Sequence, residues 1–355
     1  MKQIHGGDIY RNKNSLDFSS NINPYGPPKG VIDAGVEAMK EVAAYPDIFS
    51  EDLTKALGEY EGVEKSYILC GNGAADLIFR TVFAIKPKKA LIQLPSFSEY
   101  AQALSCIDCQ IEKYLSREEE NFCIESDFLD FIKEDIDLVI LCSPNNPTGL
   151  TIEKKLLEKI AEKCREFKCY LLLDECFLDF VKNGERKSLK NKIKDNPYLI
   201  ILKAFTKVYS MAGIRLGYAL SANRELLEKM QAMGQPWGVS LIAQKTGLAA
   251  LSEKKFLKES VTLLQEEYEP LRASLKELGF QVFWGEANYV FFKGPAGLET
   301  VCKKEGILIR DCSNYEGLSE GFYRVAVKRK EDNERLIKTL KISMEKVEKK
   351  WQRQL

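Results

Sequence analysis

The chain has 355 residues, 45% of them hydrophobic, enough to bury a large core and, at about 150 residues per domain, to build two domains. Its 52 basic and 52 acidic side chains cancel, so the electrostatic footprint of a nucleic-acid or anionic-membrane binder is missing and a small-molecule partner is expected. Residues 1–15 are polar without an apolar leader core, and no apolar run approaches the ~18 residues of a membrane span, which makes the cytoplasm the expected location.

In chain order, apolar runs at 66–70, 90–94, 110–115, 138–142, 170–173, 199–202 and 217–220 alternate with amphipathic stretches. This is the pattern of strands joined by helices, and it predicts an α/β fold with a seven-stranded, mostly parallel sheet. The first run passes through Gly71-Asn72-Gly73-Ala74-Ala75 into a helical pattern over 76–85. Glycines permit close backbone approach, and the N–H groups of Gly73, Ala74 and Ala75 at a helix start would cradle a phosphate. Taken alone the segment reads equally as a tight turn, since it lacks the third glycine of a dinucleotide fingerprint.

After residue 238 the pattern changes. Leu257, Val261, Leu264, Tyr268, Leu271, Leu275 and Leu278 fall at spacings of four and three, one buried helix face. Pro270 should bend or interrupt that helix. Short strands at 281–282, 289–292, 308–310 and 323–327 with intervening helices suit a smaller α+β domain, and the lysine-rich 341–350 a solvated helix face. The expected division is an N-terminal arm 1–28, a large cofactor-binding domain 29–238 and a small C-terminal domain 239–355. The ten cysteines form no framework, and Cys106 and Cys109 have neither a second pair nor a nearby histidine to complete a zinc site. They read as free thiols, with no metal expected.

Asn146, Asp174 and Lys207 each follow closely on the C-terminal end of a predicted parallel strand, the edge at which open α/β sheets bind ligands. Each suits one need of a pyridine aldehyde cofactor: an amide for the ring hydroxyl, a carboxylate that keeps the ring nitrogen protonated, and an amine to condense with the aldehyde. Arg215, eight residues after Lys207, adds a cation for the cofactor phosphate, with the Thr206 hydroxyl beside it.

Ser143-Pro144-Asn145-Asn146-Pro147-Thr148-Gly149, Asp174-Glu175 and the segment 207–217 resemble the class I/II aminotransferase superfamily in order and in separation, 28 residues from Asn146 to Asp174 and 33 from Asp174 to Lys207. The resemblance extends over essentially the whole chain. It implies an aspartate-aminotransferase-like fold, pyridoxal 5'-phosphate as cofactor, Phe97 stacked on its ring, and a homodimer with shared active sites in which Tyr45 reaches the phosphate of the partner subunit's cofactor. On the residues alone, Phe97 also reads as core packing and Tyr45 as a turn aromatic.

Within the superfamily the two ends resemble the threonine-phosphate decarboxylases of cobalamin synthesis, and after them the histidinol-phosphate aminotransferases. His5-Gly6-Gly7-Asp8-Ile9 and Asp17-Phe18-Ser19-Ser20-Asn21-Ile22-Asn23-Pro24 carry the likeness at one end, with Tyr25 in place of a usual leucine. Segments 310–318 and 323–327 carry it at the other, and Phe177 stands where the aminotransferases usually have tyrosine. The resemblance puts Arg324 on the substrate carboxylate, Arg310 on its phosphate, and Asn23 and His5 on the substrate, with the His5 arm covering the partner's site. It implies decarboxylation of L-threonine O-3-phosphate to 1-amino-2-propanol phosphate, with serine phosphate as another substrate and histidinol-phosphate aminotransferase as the alternative. A cofactor-bound DNA regulator is disfavoured, because some thirty residues before the cofactor domain are too few for a winged helix.

Overall fold

The computed structural model describes residues 5–352, with side chains through 346. Its strands are β1 (Leu16–Asp17), β2 (Ile68–Gly71), β3 (Lys89–Leu94), β4 (Gln110–Leu115), β5 (Leu138–Cys142), β6 (Tyr170–Asp174), β7 (Leu199–Ala204), β8 (Gly217–Leu220), β9 (Gln281–Val282), β10 (Tyr289–Lys293), β11 (Ile307–Leu308), β12 (Arg310–Asp311) and β13 (Phe322–Ala326). The seven expected strands of the large sheet all form, in the order β2-β8-β7-β6-β5-β3-β4. Those from β3 to β7 are mutually parallel, and β8 alone runs antiparallel to both its neighbours.

The central strands are apolar almost throughout because helices cover both sheet faces. Ile140, Leu172 and Ile200 face one layer, against Leu77, Val82 and Leu104, while Val139, Leu171 and Ile201 face the other, against Leu157, Ile160 and Leu57. That alternation fixes register, since a one-residue slip would exchange the two faces.

The C-terminal sheet has the order β12-β13-β10-β9 and is antiparallel. The helix Lys254–Glu277 runs through Pro270 without interruption. Proline removes one N–H there, but Leu264 on one side and Leu271 and Leu275 on the other are all buried in the same core, which anchors both halves of the helix. The strand expected at 308–310 divides in two. β11 pairs in parallel with β1, whereas β12 pairs with β13. The N-terminal segment is thereby fastened to the C-terminal layer, with Phe18 N–H donating to the Leu308 carbonyl at 2.8 Å and Ala326 N–H to the Phe18 carbonyl at 2.9 Å. Among the described residues no helix is long and apolar enough to cross a membrane.

Candidate active site

β5, β6 and β7 end side by side, and their C-terminal ends deliver Asn146, Asp174 and Lys207 into one cavity. The loop after β5 is self-braced: the Asn145 amide donates at 3.0 Å to both the Pro95 carbonyl and Thr148 Oγ1, and Tyr289 Oη donates to the Asn145 carbonyl at 2.7 Å. Asn146 is thereby turned inward, and its Oδ1 accepts from an Arg324 Nη and from Tyr315 Oη at 3.2 Å. A guanidinium only donates, so the atom facing Arg324 is the amide oxygen and the NH2 group is left for a ligand oxygen.

Asp174 closes β6. It is buried, its Oδ2 accepts from Tyr100 Oη at 2.7 Å and its Oδ1 from the Cys176 N–H at 2.9 Å. Lys207 lies on the one-turn helix Phe205–Val208 directly after β7, with Nζ 5.8 Å from the centre of the Phe177 ring. Burial pushes its pKa down to about 8, helped by the Arg324 and Arg215 charges. The amine is therefore half unprotonated near pH 8. In the apoprotein, the rate of condensation with an aldehyde should rise with pH and level off just above 8, whereas an ordinary lysine would keep accelerating towards ~10.4. A stopped-flow absorbance profile checks this. The linkage sign is also fixed: with the native pKa below the unfolded one, the unfolded chain binds more protons between about 8 and ~10.4. Lys207 therefore costs stability below that window, and the cost fades as pH rises through it.

The turn between β2 and the helix Ala74–Ile85 forms a concave cradle. Gly73 has φ +84°, and a Cβ there would lie 2.7 Å from Arg215 Nη2, so only glycine lets that guanidinium approach the helix start. Ala74, Ala75, Thr206 and Arg215 line the cavity on this side. The same cavity is lined by Arg310 and Arg324, both buried and directly opposite one another across β12 and β13. Like charges facing each other across strands destabilise a sheet. The hydrogen-bond acceptors of this pair are neutral oxygens: Asp311 O and Asn314 Oδ1 for Arg310, and Asn146 Oδ1 and Ser19 O for Arg324.

Of the residues singled out in the sequence, His5, Ala74, Ala75, Phe97, Asn146, Asp174, Thr206, Lys207, Arg215, Arg310 and Arg324 line this one cavity, and Gly73 backs it. Asn23 does not. Its amide donates to Val208 O at 2.9 Å and Ser260 Oγ at 2.8 Å, its Oδ1 accepts from Tyr25 N–H, and its own N–H donates to the Lys207 carbonyl at 3.0 Å. It fastens the N-terminal segment to the Lys207 turn and has no amide group left for a substrate. Tyr45 lies on the surface, 79% exposed and stacked on Trp237 with ring centres 4.5 Å apart, outside this chain's cavity. The arm also differs from expectation, since His5 reaches its own chain's cavity, with Nε2 3.4 Å from Glu99 Oε1. The reason is local: Gly7 N–H donates to Ser19 Oγ at 2.8 Å, and Gly6 sits so tightly that a Cβ would fall 2.2 Å from the Ser19 carbonyl oxygen.

Tyr100, Tyr315 and the backbone of Ser19 were not foreseen. Tyr100 falls three residues after Phe97, one helical turn on, and packs edge-to-face on it at 5.7 Å. That spacing was readable; the reach of Ser19 and Tyr315 across the chain was not.

The profile described as "Aminotransferase class I and II" matches residues 13–340. The chain belongs to the class I and II aminotransferase family. It is 35% identical to the threonine-phosphate decarboxylase of Salmonella typhimurium over 92% of this chain and 90% of the relative. It is 32% identical to histidinol-phosphate aminotransferase 2 of Archaeoglobus fulgidus over 94% of each chain. The crystal structure of the histidinol-phosphate aminotransferase from Clostridium acetobutylicum superposes with a TM-score of 0.87 at 31% identity, covering 93% of this chain and 99% of that one. The fold is aspartate-aminotransferase-like, as expected.

The cofactor of this class I/II enzyme is pyridoxal phosphate, and the residues present fit it. Lys207 would supply the amine for the aldehyde, Asp174 a buried carboxylate for a ring nitrogen, Asn146 an NH2 donor, and the glycine cradle with Arg215 a place for the phosphate. Arg324, which also lines the cavity, has a buried Nε with no hydrogen-bond partner among the described residues. Bound there, pyridoxal phosphate supplies the electron sink that makes bond cleavage at an amino acid's α-carbon feasible.

Proposed function

We propose that the enzyme removes the carboxylate of L-threonine O-3-phosphate as carbon dioxide and leaves 1-amino-2-propanol phosphate. The observation that carries this reading is the facing pair Arg310 and Arg324, two buried cations whose hydrogen-bond acceptors among the described residues are neutral oxygens. Threonine phosphate brings two anionic groups at once, a carboxylate for Arg324 and a phosphate for Arg310 and His5. Histidinol phosphate brings only one and would engage a single arginine while bound, leaving the other to the dicarboxylate co-substrate of a transamination. The 35% identity to a relative named threonine-phosphate decarboxylase supports the same reading.

In this scheme Arg324 and Arg310 would fix the substrate by its two ends and so decide which bond at the α-carbon is cleaved. Bound pyridoxal phosphate would take up the bonding pair as carbon dioxide leaves, and Lys207, poised with a pKa of about 8, would return a proton to the α-carbon. If the bond to the α-hydrogen were cleaved instead, the same lysine would remove that proton and transamination would follow. The likeness to histidinol-phosphate aminotransferases makes that the second reading.

The deciding experiment incubates cofactor-loaded enzyme with L-threonine phosphate and, in parallel, with histidinol phosphate plus 2-oxoglutarate, and identifies products by mass spectrometry. Aminopropanol phosphate from the first supports the decarboxylase. Glutamate from the second, with threonine phosphate untouched, overturns it. Arg310→Met should lower kcat/KM for threonine phosphate by roughly 10- to 100-fold, the value of one or two charge-assisted hydrogen bonds.

We further propose that a second copy of the chain covers the apolar face of the helix Lys29–Ala38. Ile32, Val36 and Met39, spaced by four and three, lie exposed along it, and Val42 and Phe49 extend the patch. The same groove is lined by Ser210, Gly213 and Ile214 from the turn after Lys207, which would place the active site close to the interface and Tyr45 within reach of the partner's cofactor. Sedimentation should give twice the mass of one chain, and Val36→Glu should shift it towards one.

A further inference from the structure

We propose that Asp76 and Arg80 are positioning residues for the cofactor phosphate, acting through the backbone of the glycine cradle; this rests on the reading that the turn at Gly71–Ala75 holds that phosphate. Asp76 lies in the first turn of the helix Ala74–Ile85, whose N-cap, Gly73, has no side chain to cap it. The Asp76 carboxylate folds back instead, and its Oδ2 accepts from the Asn72 N–H at 2.9 Å. That bond fixes the Asn72 peptide, and with it the direction in which the following amides point.

A carboxylate at this place is a liability as well. The start of a helix attracts anions, and a fixed negative charge there competes with a phosphate dianion. Arg80, one turn further on, cancels it through a two-pronged pair, Nε to Oδ1 at 2.9 Å and Nη2 to Oδ2 at 2.8 Å. The pairing is built in rather than incidental. Arg80 is buried, its side chain only 6% exposed, and two glycines lie against the guanidinium. A Cβ on Gly234 would fall 2.0 Å from Arg80 Cζ, and one on Gly238 2.8 Å from Nη2. Residues 234–238 thus press the guanidinium onto Asp76, and Asp76 holds the cradle.

The device predicts a defect specific to the phosphate. Apoproteins are titrated with pyridoxal phosphate and with pyridoxal, which shares the ring and aldehyde but has no phosphate, following absorbance at equilibrium. The wild-type protein should bind the phosphorylated form more tightly. In Arg80→Met that preference should fall ~10-fold, with pyridoxal affinity nearly unchanged. The double variant Asp76→Asn with Arg80→Met should recover most of the loss, since the asparagine oxygen still accepts from Asn72 and the uncompensated charge is gone. Gly234→Ala, which displaces the guanidinium without removing it, should resemble Arg80→Met and serves in its place if that variant does not fold. An undiminished preference in both Arg80→Met and Gly234→Ala, or a double variant no better than Arg80→Met, overturns the proposal. A wild-type protein that binds both compounds equally overturns the cradle reading itself.

Discussion

Lys207→Ala is expected to leave a folded protein that turns over at least ~10³-fold more slowly and holds pyridoxal phosphate without a covalent bond. On the proposed reading the lysine would combine two functions in this site. Its amine, with a pKa brought down to about 8 by burial and the neighbouring Arg324 and Arg215 charges, is nucleophilic enough to condense with the aldehyde near neutral pH. Freed from that bond, it would serve as base and acid at the reacting carbon on the proposed reading. Alanine provides neither. The fold should survive, because the side chain points into the cavity and the turn that carries it is held by other groups, among them the Asn23 N–H on the Lys207 carbonyl at 3.0 Å. Turnover, the cofactor's absorbance and thermal melting together test this. A variant that keeps wild-type turnover would sink the assignment, and one that loses turnover only because it melts would leave the cofactor spectrum of the residual folded fraction unchanged.

The features legible in the sequence share a physical cause: they are local. Strands β5, β6 and β7 announce themselves because they are buried on both faces and read as unbroken apolar runs. Asn146, Asp174 and Lys207 are legible for a related reason, since a polar residue placed just beyond such a run stands at the ligand-binding edge of the sheet. What escaped reading depends on contacts between distant segments. That 307–308 would pair with β1 and 310–311 with β13 is decided by which strands reach them in space, and no periodicity within five residues separates the two. The facing of Arg310 and Arg324 follows from that split register and was invisible for the same reason. Asn23 shows the converse: a polar residue in a segment that lines the site, it is turned away and spent on Val208 and Ser260, 185 and 237 residues later in the chain. Pro270 does not interrupt its helix because the tertiary packing of Leu264, Leu271 and Leu275 overrides local propensity.

Asp174→Asn should separate charge from shape at the other end of the cofactor. The side chains are nearly isosteric, so the Cys176 N–H retains an oxygen acceptor, and Tyr100 Oη, which now donates to Oδ2 at 2.7 Å, can rotate its proton and accept from the new NH2 group. Packing and cofactor binding should therefore change little. The buried negative charge, however, would be what favours a proton on the ring nitrogen, and a neutral amide cannot supply it. The ring would then accept the electron pair from the α-carbon poorly, and turnover should fall by ~10²- to 10⁴-fold with little change in KM, the pattern of an interaction made in the transition state and not on binding. Tyr100→Phe should be far milder, since it removes one hydrogen bond to the carboxylate and keeps its charge. If the asparagine variant instead raised KM and spared kcat, Asp174 would be a binding residue only, and the electron-sink role would have to be assigned elsewhere.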